Sequence, residues 1–285
     1  MSGKSRGRGG RVKRQEVENE DGWTVVTHGI HKMGLGSTPG DGTPGSKKSK
    51  NDLQVAGQMP SQIVQGLTTE KLQTEFEKLQ EKWGDSDVAR QVAELVREKE
   101  MMERVKEAVC IGIGSFSRDW GHRWRSMWQL VLFVDVARHL DMNVMYAQDP
   151  AFTELDIEFL KLLNVTAMDS GMETHVTHSS FVFSPFVDWF ILLPVFLKKK
   201  DPVLYVGNEI LDDYTTYAQT EEKRGKLEEC NALGKTFLEN MEMRKLKDFE
   251  GHPHAFNGMV VYTKSPTTTT TSTTTTTTTD PSAPT

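Results

Sequence analysis

Apolar residues change their spacing several times along this chain, and each change marks a boundary. Up to about residue 66 they are few and keep no period. From Leu67 the period is helical: Leu72, Phe76, Leu79 and Trp83 form one stripe of an amphipathic helix. Thr68 is placed as its N-cap, Leu67 and Leu72 as a hydrophobic staple, Glu70 in the first turn where negative charge suits the dipole, and Gly84 as its stop. A second helix restarts around 85–87 and presents Val88, Val92, Leu95 and Val96. The pair reads as a helical hairpin packed on a core, because the stripe is too short to sustain the heptads of a partner-binding coiled coil.

From about residue 107 the text becomes short apolar strands that run into glycine or a turn. Val109-Cys110-Ile111-Gly112-Ile113-Gly114-Ser115 is the first, and Pro202-Val203-Leu204-Tyr205-Val206-Gly207-Asn208 closes the series. Between them strands read at 143–148, 165–169 and 180–183, with helices at about 153–163, 187–199 and 221–244 and a last strand at 258–263. Trp120, Trp124 and Trp128 recur every four residues and lead into 130–137, apolar on nearly all sides, so this helix is expected to lie buried against the sheet. Such alternation predicts an α/β fold, a Rossmann-like three-layer sandwich with a mainly parallel sheet and right-handed crossovers. Binding groups then belong at the carboxyl edge of the strands. The expected plan is an arm over 1–66, a helical lead-in over 67–106, the α/β core over 107–264 and a tail over 265–285.

Composition bears mainly on the two ends. Gly34, Gly36, Pro39, Gly40, Gly42, Pro44 and Gly45 crowd one stretch of the arm, and the tail after Pro266 is nearly pure Thr; neither can bury enough surface to offset its ordering entropy, so both are expected to be disordered. Trp23-Thr24-Val25-Val26 is a β-prone exception that could dock as a lone strand or stay exposed. Lys4, Arg6, Arg8, Arg11, Lys13 and Arg14 form a basic cluster suited to nuclear import, to a solvated tail or to weak RNA contact, with no aromatic residue to stack a base. A net charge of −6 over 285 residues argues against a chain that wraps nucleic acid over its whole surface. Two cysteines, Cys110 and Cys230, cannot make a disulfide framework and fit a reducing compartment. Without an apolar leader or a run of about 18 apolar residues, the chain is expected in the cytoplasm and nucleus, with no membrane partner.

Candidate chemistry gathers at the strand tips. Gly112-Ile113-Gly114 lets backbone amides approach a phosphate or carboxylate at a helix start, although Ser117 stands where the third glycine of the dinucleotide fingerprint would be. Asp149-Pro150 ends the second core strand, where an acid commonly accepts ribose hydroxyls; its offset from the glycines exceeds the usual one, and a turn-forming role is equally open. Arg118, Arg123 and Arg125 could pair an anionic ligand. Glu173, His175 and His178 invite a metal but lack a fourth ligand, Asp169 and Glu173 could act as paired carboxylates but lack a nucleophile, Ser184-Pro185 lacks a nucleophile elbow, and His252 and His254 read as an ordinary loop. The candidate ligand-binding set is therefore Gly112, Gly114, Ser115, Asp149, Glu173, Gly207 and Asn208, with no catalytic residue, no metal site and no particular cofactor assigned.

Taken in order, Asp21-Gly22-Trp23-Thr24-Val25-Val26, Cys110-Ile111-Gly112-Ile113-Gly114-Ser115-Phe116, Gln129-Leu130, Asp149-Pro150 and Val206-Gly207-Asn208 resemble the Sensitivity to Red Light Reduced family, over about residues 21–26 and 107–220. The family's Met-Pro-His-Cys-like turn is here Ser184-Pro185-Phe186-Val187, and its Gly-Asn-Ser ending is Gly207-Asn208-Glu209. The resemblance implies a regulatory protein acting through protein partners or a bound small anionic or nucleotide ligand, with no reaction attached. In the family that regulation touches light signalling and circadian output, microtubule and stress phenotypes, and haem metabolism. The alternative is a nucleotide- or S-adenosylmethionine-dependent transferase that holds its cofactor through Gly112, Gly114 and Asp149.

Overall fold

The computed structural model describes residues 15–18, 24–27, 62–97, 103–239 and 241–264. The basic cluster, the glycine-rich stretch and the threonine tail lie outside the described residues. Strand β1 (Gln15–Glu18) pairs antiparallel with β2 (Thr24–Thr27) in a two-stranded sheet of their own, so the β-prone tetrapeptide supplies a strand with a partner.

Two helices come first. Helix α1 (Thr69–Gly84) starts where Thr68 accepts a hydrogen bond from Lys71 N, and α2 (Asp87–Val96) starts on Ser86, which accepts from Ala89 N. The predicted stripe of Leu72, Phe76, Leu79 and Trp83 is buried. Trp83 also donates its indole N–H to Asp135 at 2.9 Å.

The core sheet has strands β3 (Glu107–Ile111), β4 (Met145–Gln148), β5 (Val165–Ala167), β6 (Ser180–Ser184), β7 (Leu204–Asn208), β8 (Met241–Lys245) and β9 (Met259–Lys264). They lie in the order β5-β4-β3-β6-β7-β9-β8; the first five are parallel, and β9 runs antiparallel to both neighbours. Helix α3 (Arg123–His139) follows β3 and α4 (Glu154–Leu162) follows β4. Helix α5 (Trp189–Ile191) follows β6 and α6 (Glu221–Leu238) follows β7. Alternate strand residues divide the interior: Ala108, Cys110, Phe181 and Phe183 pack with α1 to α4, whereas Val109, Ile111, Val182 and Tyr205 pack with α5 and α6. The sheet is therefore doubly wound, with its switch point between β3 and β6.

Three expectations are corrected. Helix α3 begins at Arg123, so the three tryptophans do not share a helix face: Trp120 precedes it, Trp124 is 44% exposed and Trp128 is buried. The helix expected over 187–199 starts at Trp189 and winds as a π-helix over Leu192–Leu197; Pro194, lacking an N–H, cannot continue a regular ladder. The helix expected over 221–244 ends at Leu238, and 241–245 forms β8. Met241-Glu242-Met243-Arg244 alternates apolar and polar over only four residues, too short a run to separate a strand from the end of the preceding helix; pairing with β9 decides it, and its charges suit an edge strand.

Twelve of the 17 residues of α3 are buried, from Arg123 to Ala137, because the helix has the sheet on one side and α1 and α2 on the other. The hairpin is thus a further layer that the apolar outer face of α3 requires. Phe76, fully buried and edge-on to Phe159 of α4 at 5.8 Å, tests this dependence. Phe76→Ala is expected to cost about 3–5 kcal/mol, read as a lower denaturant midpoint for the whole tryptophan-monitored transition. A hairpin that melts first, leaving the main transition in place, would contradict it.

Candidate functional site

Gly112 and Gly114 leave β3 with φ of 70° and 81°, a left-handed backbone that residues with a Cβ rarely adopt. The loop they begin is tied to the neighbouring crossover by two carboxylates. Asp149, at the tip of β4, accepts from Gly114 N at 2.6 Å and from Ala151 N at 2.7 Å. Asp156, fully buried in the first turn of α4, accepts from Ser115 Oγ at 2.6 Å, Phe116 N at 3.0 Å and Thr153 N at 2.8 Å. Ser117 Oγ and Thr153 Oγ1 close the set at 2.7 Å. Asp156 was not among the sequence candidates; its signal was the capping pair Thr153 and Asp156 at the start of α4.

The space over the loop is taken by Trp120, whose indole N–H donates to Ser115 O at 3.0 Å. A methyl group built on Gly114 would come within 2.7 Å of that ring and 2.8 Å of Ser126 Oγ. The first glycines of a dinucleotide site admit a pyrophosphate; here the chain's own indole lies against Gly114. Nothing in the spacing of the tryptophans revealed this, because Trp120 had been counted into the helix.

The remaining candidates fall in two places. Gly207 lies opposite Ser184 in the β6–β7 register, and a Cβ there would run into the Ser184 carbonyl oxygen, so this glycine serves close strand packing; Asn208 O accepts from Tyr205 Oη at 3.2 Å. Both stand at the same carboxyl edge as Gly112, Gly114, Ser115 and Asp149. Glu173 does not join them: it sits in a 3-10 turn (Met172–Thr174) beside β4, and the next residues descend until His175 meets Glu107 at the amino end of β3, at 3.2 Å. Among the described residues no three His, Cys, Asp or Glu side chains converge as a metal site would require.

Beside Asp149 the edge opens into a recess of about 360 Å³ between the tips of β4 and β5. Phe152, Ile157, Ala167 and Met168 give it apolar walls, and Gln148, Asp149 and Asp169 its polar groups; Gln148 Nε2 is held by Asp169 O at 2.9 Å. Desolvation raises the Asp149 carboxyl from 3.8 to about 6, against the opposing pull of the Ala151 and Gly114 amides, while the Asp156 charge adds to the rise. The two cysteines are not activated: burial pushes the Cys110 thiol well up and the Cys230 thiol up to about 11.

A doubly wound α/β core with a glycine loop and an acidic second strand tip belongs to the broad class of Rossmann-like proteins. Within that class the sequence model of the SRR1 domain matches residues 72–263, most of the chain, and the chain belongs to the SRR1 domain family. The match begins inside α1, so it includes the hairpin as well as the sheet. No curated protein matches the chain.

Two outcomes test this geometry. Gly114→Ala carries about 1–2 kcal/mol from the left-handed backbone alone, so it is expected to melt at least about 2 °C below wild type; equal melting temperatures would contradict both the strained backbone and the contact with Trp120. The Asp149 carboxyl holds its proton more tightly in the folded protein than in the unfolded chain. Its contribution is therefore full below about 3.8 and lost as pH rises through about 6. Thermal melting of Asp149→Asn, which has no proton to lose there, is expected to gain on wild type between these pH values and to run parallel above about 7.

Proposed function

We propose that this protein is a regulatory, ligand-binding protein of the SRR1 domain family, and that its small ligand is a nucleoside without phosphates, seated in the recess beside Asp149. The observation that carries the reading is Trp120 over Gly114, which occupies the path a pyrophosphate would take along the glycine loop. What is left is a recess that combines apolar walls with the Asp149 carboxylate. A carboxylate has about four acceptor positions, and two of those on Asp149 are used by amides, so a ribose diol can still be received. Asp169 adds a second acid to the slot, which disfavours a phosphate and suits an uncharged or cationic adenosyl group. The volume is within the range of small-ligand pockets. Regulation then runs through protein partners that read the occupied edge, in the cytoplasm and nucleus.

A second reading, an S-adenosylmethionine-dependent transferase, is favoured by the strand order. Numbered from β3, the sheet runs 3-2-1-4-5-7-6 with the seventh strand reversed, an arrangement shared with many methyltransferases that use this cofactor. That likeness is one of fold, and function has to be argued from the site. A transferase needs the methionine tail to cross the glycine loop, where Trp120 lies.

Calorimetric titration of the full chain separates the readings. Adenosine and S-adenosylmethionine are expected to bind with affinities within about threefold of each other, both weakened at least tenfold, about 1.4 kcal/mol, by Asp149→Ala, while NAD and ATP do not bind. S-adenosylmethionine binding tenfold tighter than adenosine would favour the transferase. Absence of binding by every adenosyl compound would remove the nucleoside.

A further inference from the structure

The three arginines that follow the glycine loop meet different ends. Arg118 donates through Nε to Ala151 O at 2.7 Å. Arg123 donates through Nε to Phe116 O at 2.6 Å and pairs with Glu75 of α1. Both hold the frame together. Arg125, in the first turn of α3, has an enclosed Nε with no hydrogen-bond partner, and its guanidinium stands 4.2 Å from the centre of the Phe186 ring beyond β6. No carboxylate among the described residues forms an ion pair with it. Burial brings this guanidinium down to about 10.

The loop between β8 and β9 packs on the same helix, one turn further along. It carries His252, whose Nδ1 is likewise enclosed and without a partner, and whose ring lies 6.4 Å from that of His254. Burial holds the His252 imidazole below its ordinary range, and the side chains that act on it are His254 and Arg125, both basic. The loop is anchored to α3 by Gln129 Nε2, which donates to Ala255 O at 2.8 Å. Gln129 Oε1 and Ser126 Oγ, on residues with no exposed surface, also lack partners. Four enclosed polar atoms without partners thus fall on two elements that are in contact. Around them basic groups face one another.

Desolvating a cation and leaving buried donors unpaired is costly unless a counter-charge with acceptor oxygens occupies the space. Guanidinium is the side chain best shaped to meet an oxyanion, and a charge-assisted bond there is about twice as strong as a neutral one. We propose that Arg125 and His252, with the Ser126 hydroxyl behind them, form a binding site for a small oxyanion, a carboxylate or a phosphate. Gln129 Oε1, an acceptor, receives a hydroxyl of the ligand. His252 stands between this site and a cavity of about 470 Å³, which it lines and the three α3 residues do not. Glu209, Asp248 and Glu250 share that cavity with Lys245 and Lys247, and none of these carboxylates is among the groups that shift His252. Asp149 and Phe186 follow β4 and β6, which flank β3 on opposite sides, so this site is distinct from the nucleoside recess and does not rest on it.

The test is titration of the full chain with inorganic phosphate and with malonate, ionic strength held constant with sodium chloride, followed by calorimetry. Saturable binding of at least one anion is expected, weakened at least tenfold by Arg125→Gln, less by Arg125→Lys, and unchanged by Arg244→Ala on the exposed edge strand. The tighter of the two anions tells whether the natural ligand carries a phosphate or a carboxylate. No saturable binding by either anion would mean that water alone fills the space, and would overturn the proposal. So would equal affinity in wild type and Arg125→Gln. Should Arg125→Gln fail to fold, His252→Gln decides: a fivefold or greater loss supports the site, and unchanged affinity overturns it.

Discussion

Two carboxylates, Asp156 buried and Asp149 half-buried, organise the carboxyl edge of the sheet. A loop that leaves a central strand through two left-handed glycines exposes amides that no ladder can satisfy, and buried amides must be satisfied somewhere. Asp149 takes Gly114 N, and Asp156 takes Phe116 N together with the Ser115 hydroxyl. Each carboxylate also accepts from a backbone N–H of its own crossover, Ala151 or Thr153. The tip of β3 and the start of α4 are thereby one hydrogen-bonded unit. Whatever follows the loop in sequence inherits its position from that unit, including Trp120 and the three arginines.

The position of Trp120 then divides the edge. On the β4 and β5 side the charged groups are Asp149 and Asp169; toward β6 the half-buried Arg125 guanidinium lies over Phe186. On the proposed readings the two flanks take ligands of opposite charge preference. A Rossmann-like edge arranged in this way differs from a dinucleotide site, in which a single ligand spans the switch point.

The hairpin is part of the same construction. Arg123 reaches from the start of α3 to Glu75 on α1, and Trp83 reaches back to Asp135 near the end of α3. Ion pair, indole bond and apolar stripe fasten the hairpin along the length of α3. The family match that begins at residue 72 follows the same physical boundary.

Much of this architecture was legible in linear order. The helical stripe from Leu72 to Trp83, the cap at Thr68, the stop at Gly84 and the glycine-ended strands each depend on neighbours a few residues away, and the alternation of strand with helix implied a parallel sheet. The tips that carry Gly112, Asp149 and Gly207 were brought to one edge for that reason. Other features had no local signature. Strand β8 exists only because β9 offers it a partner, and Trp120 leaves the expected helix to lie over Gly114. Glu173 was grouped with the tips by its place after the third strand, but the chain turns back there toward the amino edge. The helix that carries Arg125 and the loop that carries His252, 127 positions later in the numbering, are joined by the Gln129–Ala255 hydrogen bond. Period and capping are set by local sterics and hydrogen bonds, so the chain alone determined its elements and the line of its strand tips. Which charges meet, and which space a side chain fills, depend on long-range burial, and only the tertiary structure decided those.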